Sequence, residues 1–274
     1  MATPPPGDGA RPVTIATLQA MKERGEKIAS LTAYDAGFAA LVDRAGVDFV
    51  LVGDSLGMVV QGHRTTVPVT VDDIVYHSSM VARGLTRALI MSDLPFMSFP
   101  TPEVALANAA RLMQEGGAQM VKLECHEGHA PIVERLADCD VATCVHLGLR
   151  PQTVNKLGGY RVFGRDEAGC KALIADAKRF ESAGADMLLL ECVASAAARR
   201  VAEAVKVPVI GIGAGPDVDG QILVLYDIIG VTSGRRPRFA KDYMAGGRTL
   251  GEAVRAYVEE VRDGRYPAPE HGFS

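Results

Sequence analysis

Four acidic residues recur at the same kind of place in this 274-residue chain. Asp54 follows the apolar run DFVLVG (48–53), Asp93 follows RALIMS (87–92), Glu124 closes QMVKLE (119–124) and Glu191 closes DMLLLE (186–191). One such residue after a strand usually caps the next helix or pairs across a loop. Four in register are more economically one converging set, because independent caps need not choose the same position. If the runs are parallel strands of a barrel, all four groups stand at the rim that carries active sites. Carboxylates crowded away from water are costly unless compensated, so a cation is expected among them. Oxygen donors without a companion His/Cys cluster favour a hard ion, Mg²⁺ above Zn²⁺. Lys122 lies two residues before Glu124 and shares its face of the strand. A lysine pointing into a barrel needs an anion, and a carboxylate substrate is its natural partner.

The elements that must position these groups form an alternation. Apolar runs at 28–34, 48–53, 87–92, 119–124, 141–147, 186–191 and 207–212 are separated by stretches of helical period at 35–45, 71–84, 101–116, 129–137, 166–184 and 195–205. Thr70 and Thr101 stand where N-caps belong, and Gly46, Gly84, Gly116 and Gly184 where helices stop. Runs apolar along their whole length belong to a parallel sheet covered by helices. With an eighth strand expected within LVLYDIIG (223–230) and a last helix over 250–264, the pattern predicts an α/β fold. It is a single-domain (β/α)8 TIM barrel over 13–274 behind a flexible tail, 1–12.

Bulk properties narrow the partners. Twenty-nine Lys and Arg against 33 Asp and Glu give a formal charge of −4, and the aromatic share is 5% with no Trp. Neither a nucleic-acid surface nor a basic membrane-facing surface is expected, which leaves small molecules. Five cysteines without a CxxC pair fit a reducing compartment. The proline-rich start lacks the apolar run of a signal peptide, and no stretch approaches a membrane span, so a cytoplasmic location is expected.

Longer motifs carry a resemblance. VGDSLGMVVQGH (52–63), TVPVTVDDIVYH (66–77), SDLPFMS (92–98), MVKLE (120–124), HLGLRPQTVNKLGGYRVFGR (146–165), LLLECV (188–193) and VPVIGIGAGPDVDGQILVLYD (207–227) together resemble the ketopantoate hydroxymethyltransferase family. The resemblance implies a (β/α)8 barrel with Mg²⁺ that transfers a hydroxymethyl group from 5,10-methylenetetrahydrofolate to 3-methyl-2-oxobutanoate, giving 2-dehydropantoate for pantothenate synthesis. By motif, Asp54, Asp93 and Glu124 would be the metal residues, Glu124 through a water. Ser55 and Lys122, with the metal-bearing Asp54 and Asp93, would hold the oxo acid, and Glu191 would be the proton acceptor. The apolar MLLL before Glu191 would raise its pKa towards the range of a base working near neutrality. The family also implies a homo-oligomer, commonly a homodecamer. The enzymatic rival is a Mg²⁺-dependent lyase or mutase of the phosphoenolpyruvate mutase/isocitrate lyase type, whose KKCGH-like cysteine motif this chain lacks.

One departure stands out: Cys125 and His126 follow Glu124 where the family usually has Gly-Gly. Cys125, His126 and His129 read as loop residues rather than a zinc site, there being no second pair. His146 is read as lining the pocket or as a structural histidine. Segment 158–165 is read as a lid or a structural loop, GIGAG (211–215) as a close-approach turn, and the basic run 235–241 as solvated surface or an attractor for folate polyglutamate.

Overall fold

The computed structural model describes residues 11–159, 161–232 and 236–274. Eight parallel strands close into a barrel in sequence order. They are β1 (Ile28–Thr32), β2 (Phe49–Val52), β3 (Leu89–Asp93), β4 (Met120–Glu124), β5 (Thr143–Gly148), β6 (Met187–Glu191), β7 (Val209–Ile212) and β8 (Gly220–Leu223). Around them run α1 (Ile15–Glu23), α2 (Ala36–Ala45), the short α3 (Leu56–Val59), α4 (Val71–Gly84), α5 (Pro102–Gln114), α6 (Ala130–Ala137), the short α7 (Val154–Leu157), α8 (Glu167–Ser182), α9 (Ser195–Ala204), the short α10 (Leu225–Ile228) and α11 (Leu250–Arg262). The single (β/α)8 barrel expected from the alternation is the observed architecture; five of the seven apolar runs contain their strands whole, and β3 and β5 each extend one residue beyond theirs, to Asp93 and Gly148.

Caps delimit the helices as the residue types dictate. Asp35, Thr70, Thr101, Asp166 and Thr249 each accept an N–H from the first turn of the following helix, and Gly46 closes α2 in the left-handed conformation at φ 92°. Among the described residues, no helix is long and apolar enough to cross a membrane.

Two corrections concern elements. The eighth strand is GQIL, not the run 223–230, with which it shares only Leu223. Beyond Leu223 the chain coils into α10, burying Leu225 and Ile228. The strand escaped notice because it opens on Gly220 and carries Gln221, so it has no continuous apolar signature. Gly220 is required there: a Cβ would strike the carbonyl oxygen of Ile28 and the side chain of Ile210. β7 also reaches β8 through residues 213–219 with no intervening helix. Second, α1 was not anticipated. Of the expected tail, only residues 11–12 lie within the described chain; they are exposed and irregular.

Helix α1 closes the bottom of the barrel. Leu18 and Met21, with Val13, join the inward side chains Ile28, Phe49, Leu51, Leu89, Met91, Met120, Cys144, Met187, Leu189, Ile210 and Ile222 in one buried cluster. The alternate strand residues, such as Val50, Ile90, Val121, Val145 and Leu188, face outwards into the larger cluster shared with the surrounding helices. The period of two therefore makes Met120, Lys122 and Glu124 a single inward row, apolar at the bottom and charged at the top. Replacing the fully buried Leu18 with Ala should cost about 3 kcal/mol of unfolding free energy, the usual price of a core leucine. Chemical denaturation checks this, and a loss below about 1 kcal/mol would show that α1 is not part of the core.

Candidate active site

The inward rows end in one cavity of about 650 Å³ whose lining includes Asp54, Ser55, Asp93, Lys122, Glu124 and Glu191. All six residues nominated from sequence are thus brought together. Strand register explains the neighbours: Asp93 sits beside Lys122, and Glu124 beside His146. Asp54 and Ser55 come from the turn between β2 and α3, and Asp93, Glu124 and Glu191 are the last residues of β3, β4 and β6.

The acidic groups are individually held. The Asp54 backbone N–H donates to Asp93 Oδ2 at 2.9 Å. Lys122 Nζ lies 2.7 Å from Asp93 Oδ1 in a pair almost wholly out of water. That oxygen nevertheless has no aligned hydrogen-bond donor, which leaves it acceptor capacity towards the cavity. Tyr34 Oη and Ser55 Oγ share a hydrogen bond of 2.8 Å.

Burial dominates the electrostatics, and charge crowding adds to it. Burial and then the neighbouring Asp93 push Asp54 up to about 7, against the pull of Lys122. Burial also raises Asp93, which Lys122 opposes. Burial and Asp54 lift Glu124 well above the carboxylate range. Burial takes Glu191 up to about 8, with Lys122 pulling it down and Asp54 and Asp93 adding to the rise. Burial alone would lower Lys122, but Asp93, Glu124 and Asp54 hold it above its ordinary value, so it stays charged. Lys122 is the cation set among these four carboxyl groups, with Asp227, Arg236 and Arg238 elsewhere on the cavity lining, and the strand-end set retains room for more positive charge.

Three participants were not assigned from sequence or were left open. Gln152 donates its side-chain amide to Asp54 Oδ2 at 2.8 Å and to the Leu94 carbonyl oxygen at 3.1 Å, while its backbone N–H donates to Glu124 Oε2 at 3.0 Å. It lies in a loop, is uncharged and carries no periodic signal; only its place in the HLGLRPQ motif pointed to it. Tyr34 lay in the LTAY run without a role. His146 is a pocket residue: it is buried, with Nδ1 3.3 Å from Lys122 Nζ and Nε2 3.4 Å from Glu191 Oε2. Burial and the Lys122 charge keep it well below the ordinary histidine pKa, and therefore neutral. A lysine donor at Nδ1 leaves the proton on Nε2.

The remaining features surround this centre. Cys125 turns into the core between the barrel and the helices. His126 and His129 stack at 3.9 Å between ring centroids and line a second cavity of about 500 Å³, which shares Glu124 with the first. Gly213 and Gly215 adopt positive φ, and a Cβ on Gly215 would collide with Ser195, so GIGAG is a close-approach turn. In the basic run, Arg236 pairs with Asp242 and Lys241 with Glu260, and Arg236 and Arg238 line the same cavity as the acids; Arg235 lies outside the described residues. In 158–165, Phe163 N–H donates to the Cys192 carbonyl oxygen, anchoring the segment beside the end of β6; Tyr160 is outside the described residues.

Comparison with known proteins follows this geometry closely. Residues 12–269 match the family model described as ketopantoate hydroxymethyltransferase. The chain belongs to that family. A relative from Alkalilimnicola ehrlichii named 3-methyl-2-oxobutanoate hydroxymethyltransferase is 57% identical over 273 residues, covering 100% of this chain and 99% of the relative. One of the same name from Halorhodospira halophila is 57% identical over 261 residues, covering 95% and 94%. Among solved structures, a putative phosphonomutase from Burkholderia cenocepacia superposes with a TM-score of 0.62 at 18% identity, over 79% of this chain and 93% of that one. A phosphonopyruvate hydrolase solved with oxalate and Mg²⁺ gives 0.60 at 13%, over 94% and 92%. These two share the fold of the ketopantoate hydroxymethyltransferase family; at such identities the likeness extends no further.

The Lys122–Asp93 pair makes a stability prediction. Lys122→Met should cost about 3–5 kcal/mol at pH 8, because it leaves a buried carboxylate unpaired. Carboxyl groups raised above their unfolded values bind protons in the folded state, so the deficit should shrink as the pH falls from 8 to 5. Urea denaturation at the two pH values measures both; an equal loss at each would refute the charge origin.

Proposed function

We propose that this chain transfers a hydroxymethyl group from 5,10-methylenetetrahydrofolate to 3-methyl-2-oxobutanoate, giving 2-dehydropantoate for pantothenate biosynthesis. The observation that carries the reading is full-length, 57% identity to relatives bearing that reaction's name, with every motif-implied residue present on one cavity wall.

The donor set suits Mg²⁺. Asp54, Asp93 and Glu124 offer hard oxygen atoms, Asp93 Oδ1 is buried without an aligned donor, and the surrounding acids are raised by one another's charge. Among the described residues, no three His, Cys, Asp or Glu side chains form a group able to hold a metal by themselves. Mg²⁺ ordinarily takes only one or two carboxylates and keeps waters or substrate oxygens as its other ligands. Asp54 and Asp93 would therefore hold the ion and Glu124 would act through a water. When bound, the ion supplies positive charge where the keto oxygen of the oxo acid becomes negative.

The chain's own groups do the rest. Lys122 receives the carboxylate of the oxo acid, helped by the Ser55 hydroxyl, whose bond to Tyr34 fixes its direction. Glu191 takes the proton from C3. Its elevated pKa makes it a competent base near neutrality, and a bound cation beside Asp54 and Asp93 would bring it down from about 8. Water takes the place of folate nitrogen on the one-carbon unit, breaking its C–N bonds; the C3 carbon adds to that carbon, whose oxygen takes up a proton to become the hydroxyl, and tetrahydrofolate leaves. The reading includes homodecameric assembly, which light scattering checks, and residence in the cytoplasm. A lyase or mutase reaction of the phosphoenolpyruvate mutase type is supported only by likeness of fold.

Two measurements test the mechanism. Glu191→Gln should abolish deuterium exchange at C3 of 3-methyl-2-oxobutanoate while oxo-acid and Mg²⁺ binding persist; ordinary exchange would remove Glu191 as the base. In the wild type, exchange requires the ionised carboxylate, so its rate should rise with pH and, with the cation lowering Glu191 from its metal-free value of about 8, level off below that pH. A rate that falls over pH 6–8 would contradict that assignment. Formation of 2-dehydropantoate from the purified chain, and its loss with chelator, tests the whole reaction.

A further inference from the structure

We infer that Gln152 is the positioning residue that sets the distance between two of the proposed metal carboxylates, an inference that rests on the metal reading above. Asp54 and Glu124 come from β2 and β4, which β3 separates, so no strand pairing fixes their spacing. Gln152 reaches both from outside the sheet, its amide Nε2 bonding Asp54 Oδ2 and its main-chain N–H bonding Glu124 Oε2. A third contact, Nε2 to the Leu94 carbonyl oxygen, ties it to the turn after β3, next to Asp93. One buried residue is therefore joined to the turns or ends of β2, β3 and β4, the three strands that supply the acidic donors.

The choice of a neutral amide has a physical reason. A lysine or arginine would neutralise the acids and compete with the divalent ion. Gln152 occupies one oxygen of each carboxylate without adding charge, so Asp54 Oδ1 and Glu124 Oε1 remain for other partners. Lys122 already provides a fixed cation among these acids, and it is engaged by Asp93. Partners that orient ligating groups from behind commonly set metal affinity. Gln152 is the middle residue of the short turn Pro151–Thr153 that leads into α7, and together with Arg150, Thr153, Lys156 and Leu157 it lines the second cavity. The same segment thus holds the carboxylates from one side and walls a separate space on the other.

The test uses the full chain and Mn²⁺ as an EPR-visible probe, titrated without substrate. Gln152→Met keeps side-chain length and removes the amide; its Mn²⁺ affinity should fall about tenfold to a hundredfold. Gln152→Asn keeps an amide too short to reach Asp54 and should fall comparably, which guards against one variant folding poorly. C3 exchange in both should recover at saturating Mg²⁺, a rescue that general loss of structure would not allow. Wild-type binding with unchanged affinity in the folded variants would overturn the role of Gln152 alone. Failure of the wild type to bind Mn²⁺ at all would overturn both this role and the metal reading.

Discussion

Four carboxyl groups gathered around a single lysine constrain everything at the rim of this barrel. In water they would separate; here the backbone forbids it, because each acid ends a strand or begins the turn after one. Burial first, and mutual repulsion at Asp54, Glu124 and Glu191, appear as raised proton affinity in all four acids, and the acids in turn hold the lysine firmly in its charged form. Such an arrangement would be a defect in a protein with nothing to bind. It becomes useful when a divalent ion and an anionic substrate complete the charge balance, since the unfavourable term is then released on loading.

Neutral side chains make the crowding tolerable. Gln152 donates to two carboxylates, the Asp54 backbone N–H to a third, and neutral His146 lies between Lys122 and Glu191. None of these removes net negative charge. They restrict where the oxygens sit while leaving the field that attracts a cation, which separates geometric order from neutralisation.

What was legible in the sequence follows from where physical signals are repetitive. The inward direction of Lys122 and Glu124 could be read because a strand alternates with period two, and the common rim could be read because four acids ended four apolar runs. Gln152 had no such signal: it acts from an irregular loop, through one side-chain and one main-chain donor, and only its family-like motif marked it. β8 was displaced because GQIL lacks an apolar run whereas the residues after it have one and fold as α10. Helix α1 was overlooked because only Leu18 and Met21 of its nine residues are buried, too narrow a stripe for periodicity to flag. Cys125 and His126 show the same limit, as neighbours in sequence with opposite fates, one in the core and one on a cavity wall.

Sealing of the barrel floor by α1 and the apolar inward residues above it leaves the chamber no passage downwards. In the proposed reaction the oxo acid and the folate would therefore both arrive and depart on the side of the rim, past the same acidic groups that take part in the chemistry.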